Sequence, residues 1–176
     1  YSDLYADSGM SLQNIQNQCD GSVLLVGCKE TGSTVLDVAA QGLPADVFFD
    51  TGTGNTGHEA NGIEWYYNDS WSMGFVEPGD GMSRDSCDTE SGSHPHRRLC
   101  FHTSGGLFNG GYRCGVMTGL NKSADFTRVF FTANGPDADG DGYDSFQDCS
   151  DSDPLINPGV AEIYGDGIDN DCDGEA

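Results

Sequence analysis

The sequence predicts an all-β protein: a disulfide-bearing antiparallel β sandwich or barrel-like domain, followed by a tail poor in strands and helices. Three observations lead there. From Ser22 onward, short β-prone runs alternate with breaks rich in Gly, Asn, Asp and Ser, as expected of many short strands joined by turns. No stretch carries the apolar stripe and caps of a full amphipathic helix. At Asn134-Gly135-Pro136 the composition changes abruptly, and residues 136–176 hold thirteen of the 29 acidic side chains and no Lys or Arg.

The elements follow in order. Residues 1–20 are polar and read as an N-terminal arm or a first strand. The β domain, 21–135, offers candidate strands at 23–28, 34–39, 46–50, 63–67, 73–76, 98–102, 111–114 and 127–132. Within 63–67, alternation places Ile63, Trp65 and Tyr67 on one sheet face. Segment 125–131 reads as a strand edge or a single turn. The last unit is the acidic tail, 136–176. No apolar run approaches the roughly 20 residues that cross a bilayer, so membrane insertion is not expected. A net charge of −22 offers no basic surface to nucleic acid or anionic lipid.

The tail carries the most specific pattern. Asp137, Asp139 and Asp141 stand at positions 1, 3 and 5 of a loop, Tyr143 at position 7 and Asp148 at position 12. That is the spacing of a looped calcium site, with a backbone carbonyl supplied at 7 and a sharp turn at position 6, here Gly142. A shortened copy follows as Asp169-Asn170-Asp171-Cys172-Asp173-Gly174. Asp151, Asp153, Glu162 and Asp166 complete the candidate ligands. The competing reading is a solvated acidic tail, since charge runs are usually disordered. Ligand spacing, glycine at the turn and the bracketing Cys149 and Cys172 favour a metal-folded unit. An oxygen-only donor set points to calcium rather than zinc or copper, and magnesium seldom takes an all-protein cage.

The tail also resembles a known repeat class. The carrying text is Asp139-Gly-Asp141-Gly-Tyr143, Asp148-Cys149-Ser-Asp151-Ser-Asp153-Pro154, Asn157-Pro158-Gly159-Val-Ala-Glu162 and Asp166-Gly-Ile-Asp169-Asn-Asp171-Cys172-Asp173-Gly174. It resembles the metal-binding motif of bacterial surface proteins named after the copper-binding MopE, and is similar to the calcium-wrapped repeats of thrombospondins. The resemblance implies a secreted or surface-displayed protein, a Cys149–Cys172 bridge and bound calcium. It does not imply copper. Residues 61–67, 86–89, 98–103 and 111–115 resemble an uncharacterised secreted module, which adds location and no chemistry.

In the β domain each candidate has a structural reading beside it. Trp65 and Tyr67, with Asn61, Trp71 and Arg113, would suit a sugar-stacking platform, because aromatic faces meet sugar C–H groups and polar groups meet hydroxyls. Core packing is the competing reading for Trp65. Asp50-Thr51-Gly52 after an apolar run is the text of an aspartic protease half-site, but that chemistry needs two facing carboxylates and the chain has one copy. We read it as a strand end with a turn. His94, His96 and His102 read as loop histidines, since Arg97 and Arg98 beside them would repel a cation. Five cysteines precede the tail. Cys87 and Cys100 form a candidate pair, Cys28 a candidate buried thiol, and the odd count leaves at least one unpaired or bonded to another chain.

The functional expectation is a non-enzymatic, extracellular or cell-surface calcium-binding protein, structural or adhesive, within a surface or filamentous assembly. Its partners would be itself, other surface proteins or glycans. The alternative is a calcium-dependent carbohydrate-binding module, and a third reading is a hydrolase with an unrecognised site. Seven cysteines and the acidic bias suit an oxidising exterior.

Overall fold

The computed structural model describes residues 2–4, 21–52, 55–68, 72–80, 93–103, 112–120 and 123–176, without the side chains of 2–4, His102 and Tyr112. The chain divides into two compact units. The first is built on Leu24–Thr132 and the second on Gly21–Val23 and Ala133–Ala176.

The first unit is all-β. Its strands are β1 (Ser2–Leu4), β2 (Val23–Glu30), β3 (Val38–Gly42), β4 (His58–Ala60), β5 (Ile63–Tyr67), β6 (Ser72–Val76), β7 (Leu99–His102), β8 (Tyr112–Cys114) and β9 (Phe126–Ala133). One sheet runs β1-β9-β2-β3 and the other β4-β5-β6-β7-β8. The second is an antiparallel meander in chain order. Both orders are open, so the fold is a sandwich and not a closed barrel.

The core lies between the sheets. Leu24, Val26 and Phe130 from one face meet Trp65, Met73, Phe75, Leu99 and Phe101 from the other. Phe101 and Phe130 meet edge to face at 5.9 Å, and Trp65 meets Phe75 likewise at 5.4 Å. Each such side chain contributes about 1.5–3 kcal/mol on burial. The alternation expected of β5 is present: Trp65 and Tyr67 enter this core with Ile63 against it, while Tyr66 packs with Val76 and Cys100. A disulfide joins Cys28 of β2 to Cys114 of β8 and so ties one sheet to the other.

Four expectations are corrected. Segment 46–50 is not a strand. Helix α1 (Pro44–Val47) occupies its start, because Pro44 presets the first helical φ and Asp46 sits in the first turn. The strand expected at 34–39 begins later, at Val38, after the turn around Gly32. Cys28 is not a free thiol. Segment 125–131 is neither an edge nor a turn, because β9 lies between β1 and β2. One strand was not expected: β4 pairs with β5 across the two-residue turn Asn61-Gly62, both at positive φ (52° and 72°). Asn-Gly is the preferred pair for such a hairpin turn.

Candidate metal centre

The second unit has almost no apolar interior. Its buried residues include Ser22, Asp144, Asp148, Asn157 and Asn170, while Leu155, Ile163 and Tyr164 are strongly exposed. Short turns make up its backbone, held by carboxylates that accept nearby N–H groups. Asp148, Asp153, Asp166 and Asp173 each bond the N–H two residues on, the local turn that Asp favours. Asp151 instead accepts from Ala138 N at 2.9 Å. Asp144, which the sequence reading did not single out, closes the unit by accepting from Ser22 Oγ and Gly135 N. Burial alone would raise its carboxyl. The bonds from Ser22, Phe146, Gly135 and Gln147 outweigh that and hold it below its ordinary value.

Two carboxylate clusters stand in this framework. In the first, one oxygen from each of Asp137, Asp139 and Asp141 lies within 4.8 Å of the others. Ligands of a calcium ion at 2.3–2.6 Å are separated by up to about 5 Å, so one ion can serve all three. Asp137 is fixed by the N–H groups of Gly140 (2.7 Å) and Gly142 (3.1 Å). Gly142 takes φ +100°, a conformation that side chains resist. The second cluster joins Glu162, Asp169 and Asp171 within the same limit. Asp169 repeats the role of Asp137, accepting from Asp173 N (3.0 Å) and Gly174 N (3.1 Å), and Gly174 stands at φ +93°.

The donor chemistry fits a hard cation. Buried oxygens of Asp139, Asp148, Glu162 and Asp171 have no hydrogen-bond partner, and a buried carboxylate oxygen without a partner is costly. Burial, together with the charges of Asp141, Asp148 and Asp137, holds the Asp139 carboxyl above its ordinary value, against the Asp141 N–H that favours the anion. A bound cation would relieve this crowding. Cys149 and Cys172 lie beside Asp148, but they form a disulfide and offer no thiolate. No histidine lies in the tail, so soft or imidazole-seeking metals find no matching donor there.

Of the predicted ligands, six fall in the two clusters. Asp148 stands near the first and is only 8% exposed. Asp151, Asp153, Asp166 and Asp173 lie outside both. Tyr143 follows the first cluster, and its ring leaves no room for a side chain at Gly159. Two buried amides, Asn157 and Asn170, were missed as functional residues. Their signal was an uncharged amide set among acidic ligands.

The proposed sugar platform is not assembled. Trp65 (1% exposed), Tyr67 (7%) and Arg113 (1%) are buried, because β5 and β8 turn these side chains inward. Asn61 is exposed in its turn, and Trp71 lies outside the described residues. Asp50 Oδ1 accepts from Gly52 N and Asn68 Nδ2 as part of a turn. His94 lies 3.3 Å from Glu77 and 3.8 Å from Asp80, and the His96 ring meets it edge to face at 6.2 Å. Cys100 is disulfide-bonded, whereas Cys19 and Cys87 lie outside the described residues.

Comparison with known proteins agrees with this geometry. Residues 148–176 match the family model Cu-binding_MopE, described as a "putative metal-binding motif". The resemblance seen in the tail therefore holds over this segment, which contains the second cluster; Asp137, Asp139 and Asp141 precede it. No curated protein and no solved structure matches the chain.

Proposed function

We propose that this is a non-enzymatic, extracellular calcium-binding protein, whose tail is folded by calcium and whose β sandwich serves a structural or adhesive role in a cell-surface or filamentous assembly. The observation that carries the metal reading is the pair of carboxylate clusters, with unpartnered oxygens, inside a unit that lacks an apolar core. Calcium is the metal of this reading because the clustered donors are carboxylates, which suit its 6–8 oxygen ligands better than the strict octahedron of magnesium.

Three features support the structural role. Two disulfides close the described units, as suits an oxidising compartment. Cys100 is disulfide-bonded as well, so five of the seven cysteines are in disulfides. The three-residue β1 adds to β9 at a sheet edge, and a strand so short can equally complete the sheet of a neighbouring chain.

Elemental analysis and light scattering of native protein, with and without a chelator, test both halves. Calcium-bearing multimers that loosen on chelation are expected. Protein carrying copper or no metal overturns the calcium reading. A calcium-bearing monomer overturns the assembly.

A further inference from the structure

The two carboxylate clusters are joined by a buried hydrogen-bonded route. Asn157, 5% exposed, uses every polar group it has. Its Nδ2 donates to Asp141 Oδ2 at 2.6 Å and to Pro154 O at 3.3 Å. Its Oδ1 accepts from Gly159 N at 2.8 Å. Its backbone N donates to Asn170 O at 3.0 Å. Asn170, 7% exposed, lies between Asp169 and Asp171; its N donates to Glu162 Oε2 at 2.8 Å and its Oδ1 accepts from Ile163 N at 3.0 Å. The route therefore runs from Asp141 of the first cluster, through Asn157 and Asn170, to Glu162 of the second.

We propose that the two clusters form one coupled metal unit, and that Asn157 is the positioning residue that makes loading of one favour loading of the other. This rests on the reading of the tail as calcium-binding. Independent of the clusters' own turns, Asp148 is more than nine-tenths buried with Oδ2 unpartnered, and the family match covers the second cluster.

The physical argument concerns ordering. Without an ion the carboxylates of a cluster repel one another, and Asp141 loses its fixed place. An ion pins Asp141, and Asp141 then holds the Asn157 amide. Asn157 in turn fixes the Asn170 peptide, which carries Asp169 and Asp171 on either side and grips Glu162. The second ion thus meets a site whose ordering has been partly completed, and this produces positive cooperativity. An amide is required at 157. A carboxylate there would face Asp141 with like charge and no donor. Simple electrostatics acts in the opposite sense, because the first cation weakens the field that attracts the second. Salt screens that opposing effect.

Calcium titration of the full chain by calorimetry, in about 0.5 M salt where charges are screened beyond about 4 Å, tests the coupling. The variants are Asp171→Ala, which deletes one unpartnered ligand of the second cluster, Asn157→Ala, and the two combined. Wild type should bind two ions. Asp171→Ala should weaken the remaining first site at least about fivefold, the lower end of allosteric coupling. In the Asn157→Ala background the same deletion should change the first site by less than about twofold. If Asn157 only supported the fold, it would lower affinities while leaving the effect of Asp171→Ala intact; that result overturns the proposal. So does unchanged first-site affinity in Asp171→Ala alone. Should Asn157→Ala fail to fold, Asn157→Asp keeps the size and the backbone N–H while removing the amide donor, and it is expected to abolish coupling in the same way. Wild-type protein that binds no calcium overturns the underlying reading, whereas two ions bound independently overturn only the coupling.

Discussion

Chelation should unfold the tail and leave the sandwich standing. The perturbation is excess chelator on native protein. The magnitude follows from the buried oxygens of Asp148, Glu162 and Asp171, which have no protein partner. Each unmet group costs about 1–3 kcal/mol, so the three together cost at least about 3 kcal/mol once the ion leaves. Little is present to offset that. The unit is well below the roughly 70 residues at which a core alone suffices, and its interior is polar. The Cys149–Cys172 bond closes a sequence separation of 23, worth about 3 kcal/mol in the chain-entropy model. That is too little to order the segment against the backbone entropy of its own residues. Since about 1.4 kcal/mol is a tenfold change, amide exchange in 137–173 should accelerate at least about a hundredfold. Hydrogen exchange read by mass spectrometry, with and without chelator, gives the answer peptide by peptide. Protection in β2, β5, β6 and β9 should not change. If 137–173 keeps its protection within about tenfold of the metal-loaded state, the unpartnered oxygens are not ion ligands and the reasoning fails.

Two further outcomes concern the sandwich. Cys28→Ala with Cys114→Ala opens a closure spanning a sequence separation of 86 and should destabilise the first unit by about 4–5 kcal/mol; denaturant unfolding followed by fluorescence of the buried Trp65 reads it, and a loss under about 1 kcal/mol refutes the assignment. Burial alone would raise Asp80, but the N–H groups of Ser93 and His94 and the charges of Arg98 and His94 outweigh it and hold the carboxyl below its ordinary value. That stability is present above the ordinary carboxylate pKa near 4 and is lost as pH falls through the lower folded value. Asp80→Asn should therefore flatten the loss of stability below about pH 4; an acid limb as steep as in wild type would remove Asp80 from the explanation.

Much of this architecture was legible because short periods act locally. Alternation alone placed Trp65 and Tyr67 on one face, and position counting alone brought Asp137, Asp139 and Asp141 together. Helix α1 escaped because the apolar run of Val47, Phe48 and Phe49 outweighed the start signal at Pro44. Strand β4 escaped because His58, Glu59 and Ala60 have little β propensity, although the Asn61-Gly62 turn announced its hairpin. The Cys28–Cys114 bond depends on how two sheets stack, and no local rule selects it from the schemes that five cysteines allow. Asn157 and Asn170 were obscure for a different reason: an amide gains its role only when folding places it between two charged groups.

The cross-link between β2 and β8 has a mechanical consequence. When a chain is pulled from its ends, the residues inside a covalent loop bear no load. Here the loop from Cys28 to Cys114 has a sequence separation of 86, which at about 3.4 Å per residue withholds roughly 290 Å of extension. Stretching can therefore lengthen only the chain before Cys28 and after Cys114, and most of the sandwich stays slack while its flanks are taut. Reduction of that bond would open the loop it closes and put load on strands that the intact protein shields.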